Sequence, residues 1–184
     1  MTFKLGYEFG DDNYLEFKAG RTDLDGDISY IGLSKADFGV NPYQRYHATK
    51  YDNMDSDQSR YYLRFLKEFT PEVRLSATVF HNEFNRDWYK IGKVSSDAGA
   101  SWSSVGKGAF GTAAVIDVLN GVDASGNGRV KYKHNDRNYK NTGIQANLDL
   151  DVGINSFDLG FRYTDDHYTY KDYTEDIYSV SSTG

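Results

Sequence analysis

The chain has no cysteine. That excludes a disulfide framework, cysteine-ligated zinc, iron–sulfur clusters and thiol catalysis. Proline occurs twice and low-complexity tracts are absent, which argues against disorder. Positive charge is in deficit: the net charge is -6. A nucleic-acid binder working by bulk electrostatics is therefore excluded. No run approaches the roughly 20 apolar residues of a membrane helix. A spanning β-strand needs only about 10 residues, apolar at alternate positions, so a membrane is not excluded. The opening Met1-Thr2-Phe3-Lys4-Leu5 lacks the apolar core of a signal peptide.

What the chain has in excess is turn and strand formers. Of its 27 acidic residues 21 are Asp, and there are 18 Gly, 16 Tyr and 11 Phe. Asp and Gly disfavour helices, whereas Tyr and Phe favour strands, so the expectation is an all-β fold.

Period-two alternation marks about six strands, near residues 2–9, 14–21, 58–69, 73–85, 139–150 and 156–164. One face carries series such as Phe3, Leu5, Tyr7 and Phe9, or Phe157, Leu159, Phe161 and Tyr163. The other carries Lys4 and Glu8, or Asp158 and Arg162. Such a split predicts a sheet with one dry and one wet face. Three connections are of hairpin length: 10–13, 70–72 and 151–155. Two are long: 22–57 and 86–136. Short and long alternate strictly, which places all short turns on one edge of an antiparallel meander and both long loops on the other. This is the pattern of an outer-membrane β-barrel, with short periplasmic turns and long extracellular loops. Tyr7, Phe9, Phe69 and Phe3 suit its interfacial aromatic girdles. A soluble β-sandwich also alternates; it would pack Phe3, Leu63 and Leu159 against one another across a common core. A small complete barrel needs at least eight strands, the missing two falling at 113–119 and 128–132.

Sites for chemistry are sparse. Gly106 to Gly111 spells G-x-G-x-x-G, but no βαβ pattern surrounds it, so it reads as a glycine-rich loop leading into a short helix or strand. The acidic runs Asp23 to Asp27 and Asp52 to Asp57 lack the twelfth-position Glu and the helices of a calcium loop, and read as solvated turns. His47, His81, His134 and His167 have no metal-ligand spacing. No metal, cofactor or enzymatic activity is expected.

The segments Tyr30-Ile31-Gly32-Leu33-Ser34-Lys35-Ala36-Asp37-Phe38, Asn41-Pro42-Tyr43-Gln44-Arg45-Tyr46, Asp52-Asn53-Met54-Asp55, Phe80 to Lys90 and Leu159 to Asp166 together resemble the barrel region of TonB-dependent outer-membrane receptors, in particular the ferric-dicitrate receptor branch. Thr164 stands where that branch would have His. The resemblance spans roughly residues 14–170 and is weakest from 92 to 133. It implies an internal segment of a large transmembrane barrel in the outer membrane of a Gram-negative bacterium. It also implies active import of a ferric chelate, citrate- or siderophore-like, as cargo, with TonB as partner through a plug domain absent from this chain. Arg binds carboxylate oxygens through a planar fork, and aromatic rings suit ligand capture. The candidate ligand contacts are therefore Arg45, Tyr46, Arg60, Arg86, Trp88 and Tyr89. The plainer readings are an ion pair of Arg60 with Glu16, solvated charges at Arg45 and Arg86, and loop packing for the aromatics.

Overall fold

The computed structural model describes residues 1–96, 101–106, 111–122, 126–171 and 176–180. In chain order the elements are β1 (Thr2–Glu8), β2 (Asn13–Gly26), α1 (Lys35–Val40), β3 (Asn53–Thr70), β4 (Val73–Ser95), β5 (Ser103–Ser104), α2 (Ala113–Leu119), β6 (Arg129–Lys133), β7 (Arg137–Val152), β8 (Asn155–Tyr170) and β9 (Asp176–Ser179). A 3-10 turn spans His47–Thr49. Among the described residues the fold is all-β and antiparallel, with two short helices. Its residues fall into two compact units: 1–23, 56–85 and 137–169 form a sheet unit, and 24–55, 86–136 and 170–184 form a loop unit. Strands β2, β3 and β4 contribute residues to both, as does β8 with Tyr170.

The sheet unit is a meander in the order β1-β2-β3-β4-β7-β8. Among the described residues β1 pairs only with β2 and β8 only with β7, so the sheet is open. Its three connections are tight. Gly153, with φ of 63°, is the first central residue of a two-residue turn before Asn155, a position that favours glycine. The turns are tied side by side along one edge: the Glu68 N–H donates to the Asp12 carbonyl at 3.0 Å, and the Asp151 N–H to the Glu72 carbonyl at 2.8 Å.

The sheet unit has no apolar core; every member of the buried hydrophobic cluster belongs to the loop unit. Phe3, Leu63 and Leu159 are 51%, 41% and 56% exposed on one face of one sheet. The common core that a sandwich would require is therefore not formed. The exposed apolar face has limited height. From the turn edge, β4 presents Val73, Leu75, Ala77 and Val79, then His81, Glu83 and Asn85. β7 presents Leu150, Leu148, Ala146 and Ile144, then Thr142, Lys140 and Asn138. β8 presents Phe157, Leu159, Phe161 and Tyr163, then Asp165 and His167. β3 runs from Phe69 to Tyr61 and then to Ser59 and Asp57. Above the limit the same face is laced with polar contacts: His81 to Thr142 at 2.7 Å, Lys140 to Glu83 at 3.3 Å, and Asn85 to Asp57 at 3.2 Å. Lys67, the one cation within the β3 series, sends its amine to the Asp11 carbonyl at the turn edge, 3.1 Å away.

Alternation ends where the polar zone begins, but the strands do not. β4 continues to Ser95 rather than Asn85, β8 to Tyr170 rather than 164, and β3 starts at Asn53 rather than 58. The long connections shorten accordingly and acquire structure of their own.

In the loop unit the upper part of β4 pairs with β5 and β6, and β6 with β9. α2 buries Val115, Val118 and Leu119, one apolar stripe at i, i+3 and i+4. These residues join Ile31, Tyr46, Ala48, Ile91, Val94, Val105, Val130, Tyr132 and Val180 in the core. α1 is capped by Ser34, whose Oγ accepts the Asp37 N–H at 3.1 Å. The two strands that a small complete barrel would need are not both present: 113–119 is the helix α2, and only 129–133 is a strand. The glycine-rich motif falls mostly on residues 107–110, outside the described residues.

Candidate functional site

On the polar face of the sheet unit, alternate residues of β1, β2, β3 and β4 converge. Glu16 sits at the centre and is buried. The Lys4 amine pairs with its Oε2 at 2.8 Å, Tyr14 donates to the same oxygen at 3.0 Å, and Tyr62 donates to Oε1 at 2.5 Å. With both oxygens occupied, Glu16 does not pair with Arg60. The Arg60 guanidinium instead donates to Gln58 Oε1 at 2.6 Å and stays exposed. Arg60 and Lys18 line a concavity of about 290 Å³ with Thr22, Gln58, Tyr62 and Asn82. Two cations, a phenol and two amides facing one hollow can take a carboxylate-rich ligand.

The other five candidates lie in the loop unit, where each has a structural occupation. Arg45 is exposed, but its fork donates to backbone carbonyls: those of Thr49, of Asp27 at 3.2 Å and of Asp52 at 3.4 Å. It staples the loop that precedes β3. Tyr46 is buried; its hydroxyl donates to Asp37 Oδ2 at 2.6 Å and accepts the Ser34 N–H at 2.9 Å. Arg86 donates to Asn135 Oδ1 at 3.1 Å and lies over the Trp88 ring. The Trp88 indole N–H donates to the Ile28 carbonyl at 2.9 Å, and its ring meets Tyr30 edge-on at 5.3 Å. Tyr89 donates to Asp176 Oδ2 at 3.0 Å and stacks on Tyr132 at 5.2 Å. Burial pushes the Tyr89 and Tyr132 phenols well above their usual range.

Asp52, read from sequence as part of a solvated turn, is fully buried. Its Oδ1 accepts the Ile91 N–H at 2.8 Å and so joins the start of β3 to β4. Burial raises its carboxyl to about 6, against the pull of the Ile91 N–H and of Arg45. Residues 53–57 continue as β3 rather than as a turn.

Alternation analysis also passes over four lysines. Lys90, Lys93, Lys131 and Lys133 line one cavity of about 350 Å³ with Tyr30, Ser104 and Asn135. The only sequence trace is a pair of short spacings, Lys90-x-Gly92-Lys93 and Lys131-x-Lys133, inside the stretch where family resemblance is weakest.

The fold and these surfaces define an all-β chain with one bare apolar face and two basic hollows. No protein-family model, curated protein or solved structure significantly matches it.

Proposed function

We propose that the chain is a segment of a large outer-membrane β-barrel of the TonB-dependent receptor kind, which binds and imports a ferric chelate, citrate- or siderophore-like. The carrying observation is the limited height of the exposed apolar face. On β3, β4, β7 and β8 it spans about 20–26 Å along the strand. That compares with the roughly 25 Å apolar band of outer-membrane barrels. Tyr61 and Tyr163 stand at its upper limit, and Phe69 and Phe157 at the turn edge, as interfacial girdles require. Strand length supports the same reading. β3, β4, β7 and β8 hold 18, 23, 16 and 16 residues, beyond the usual 3–10 of globular strands. Strands that cross the band and continue past it need such length. Barrels of plugged transporters have about 22 strands, so six form only part of the wall.

The polar face would then look into the lumen, with Arg60 and Lys18 as the chelate contacts. The receptor identity and the cargo rest on the resemblance of Tyr30–Phe38 and its companion segments. In the full receptor, Arg60→Glu is expected to weaken ferric-citrate binding at least tenfold, because reversal turns a paired hydrogen-bond donor into a repelling carboxylate. Equilibrium binding of the labelled chelate to outer-membrane preparations reads this directly. Unchanged affinity in Arg60→Glu removes the proposed site. Absence of any saturable binding by the unsubstituted receptor removes the cargo.

A further inference from the structure

Three aromatic side chains form a row across the polar face of the sheet unit, beyond the height at which the apolar series of the opposite face ends. Phe84 of β4 stacks on Tyr139 of β7, with ring centres 6.0 Å apart and planes 26° from parallel. Tyr139 meets Tyr168 of β8 at 4.9 Å and 32°. Cross-strand aromatic pairs help to hold a sheet together. These rings nevertheless stay open to solvent: Tyr139 is 40% and Tyr168 48% exposed. A contiguous set of large rings left bare on a polar surface marks a contact site.

The next row toward the turns is polar and continuous. The Asn82 amide donates to Asn141 Oδ1 at 3.3 Å, and the Asn141 amide donates in turn to Asp166 Oδ1. Each amide retains a second N–H, and Asp166 retains Oδ2 as an acceptor. No ion pair reaches Asp166 among the described residues. The two rows line one concavity of about 350 Å³. Lys140 also borders it, but its amine is engaged by Glu83 at 3.3 Å. One row further toward the turns the space is filled. There the Phe80 ring lies against Gly143, where a Cβ would meet its Cζ at 2.6 Å, and Arg162 covers that ring at 5.2 Å.

The chemistry of the two rows selects the ligand. A compact anion meets the Asp166 carboxylate and is repelled. An organic cation meets the Arg137 guanidinium, which already lies 5.8 Å over the Tyr168 ring. A neutral molecule with one C–H face and several hydroxyls suits both rows. The negative faces of aromatic rings attract weakly polarised C–H groups. Carboxamides both donate to and accept from hydroxyls, and a carboxylate accepts from them. Apolar rings with a few placed polar groups are the usual make-up of a small-molecule site. We propose that the row Phe84, Tyr139 and Tyr168, with Asn82, Asn141 and Asp166, is a binding site for a neutral saccharide, one hexose unit of an oligosaccharide. The site goes beyond the chelate reading. It shares only Gln58 and Asn82 with the Arg60 hollow, and the inference holds whether or not the chain belongs to a receptor.

The chain, held in a detergent without sugar headgroups, is titrated with maltotriose and with cellotriose. Saturation passed from protein protons to sugar protons is read by NMR. Saturable transfer with an apparent Kd below about 10 mM is expected for at least one sugar, and the tighter identifies an α- or a β-linked glucan as preferred. In Tyr139→Ala the apparent Kd should rise about tenfold or more, because the central ring of the row is lost. In Asp166→Asn it should rise about fivefold or more, because a charged acceptor becomes a neutral one. That second change is isosteric and exposed, so it separates lost binding from lost structure. No saturable transfer to either sugar up to about 10 mM overturns the inference. Unchanged affinity in either variant does the same. Saturable transfer to iron-free citrate that Tyr139→Ala abolishes would show the hollow to take anions; the saccharide assignment is then rejected, while the chelate reading is unaffected.

Discussion

Asp52 is the residue on which the loop unit is most sensitive to pH. Its carboxyl titrates near about 6 when folded, against an ordinary 3.8. Between those values the folded state holds a proton that the unfolded state has released. The stabilisation is therefore complete below about pH 4 and declines as pH rises to about 6, by up to roughly 3 kcal/mol. Asp37 does not mask this, because its lowered carboxyl titrates at more acidic pH. Thermal unfolding followed by tryptophan fluorescence should show the midpoint falling from pH 4 to 6.5 in the unsubstituted chain and flat in Asp52→Asn. The amide keeps the acceptor for the Ile91 N–H and cannot ionise. A slope that persists in Asp52→Asn would assign it to another group. Asp52 also marks what a sequence conceals at this scale. A polar run with Asp, Asn and Ser reads as a turn because its burial is imposed by β4, some forty residues distant. Arg45 was legible as a cation in a loop, but not as a staple, since the carbonyls it binds have no sequence signature. Arg60 was placed on the polar face by alternation alone. Its freedom from Glu16 was not visible, because Lys4, Tyr14 and Tyr62 complete that carboxylate only once three strands are aligned.

Within single strands, the apolar face divides sharply by height. On β8, Leu159 and His167 share one face and both are exposed. In lipid vesicles, Leu159→Arg is expected to destabilise the folded chain by about 2–4 kcal/mol, while His167→Arg stays within about 1 kcal/mol. Urea unfolding in vesicles separates the two, and equal effects would contradict the band. Strand existence was legible because each strand alternates for seven or more residues within this band. Strand ends were not, because beyond Val79, Ile144 and Tyr163 the apolar series stops and aromatic residues such as Phe84, Tyr139 and Tyr168 appear on the other face, so the period-two split breaks while pairing continues. The short elements escaped for another reason. β5, β6 and β9 hold 2, 5 and 4 residues, too few to establish a period. The apolar run 113–119 left helix and strand open, and its i, i+3, i+4 stripe resolves to α2 through burial against the loop core.

As a whole molecule, the chain divides its apolar residues between two solutions. The loop unit buries its own inside a core of conventional kind. The sheet unit leaves its own bare, and among the described residues β1 and β8 are its edges. An open sheet with a bare face is unstable in water, because both the face and the unpaired edges invite association. Lipid on that face and further strands at those edges would satisfy both. The absence of cysteine permits a direct test, since single cysteines can be introduced without background. One cysteine at a time is placed at positions 157–163 of β8, with the protein in a bilayer. Each is then probed with a membrane-impermeant maleimide and, through an attached fluorophore, with a lipid-borne quencher. The barrel account predicts that odd positions are quenched from the lipid and refuse the maleimide, while even positions react with maleimide and escape quenching. Uniform reaction with the maleimide at both sets, or quenching at neither, would contradict it.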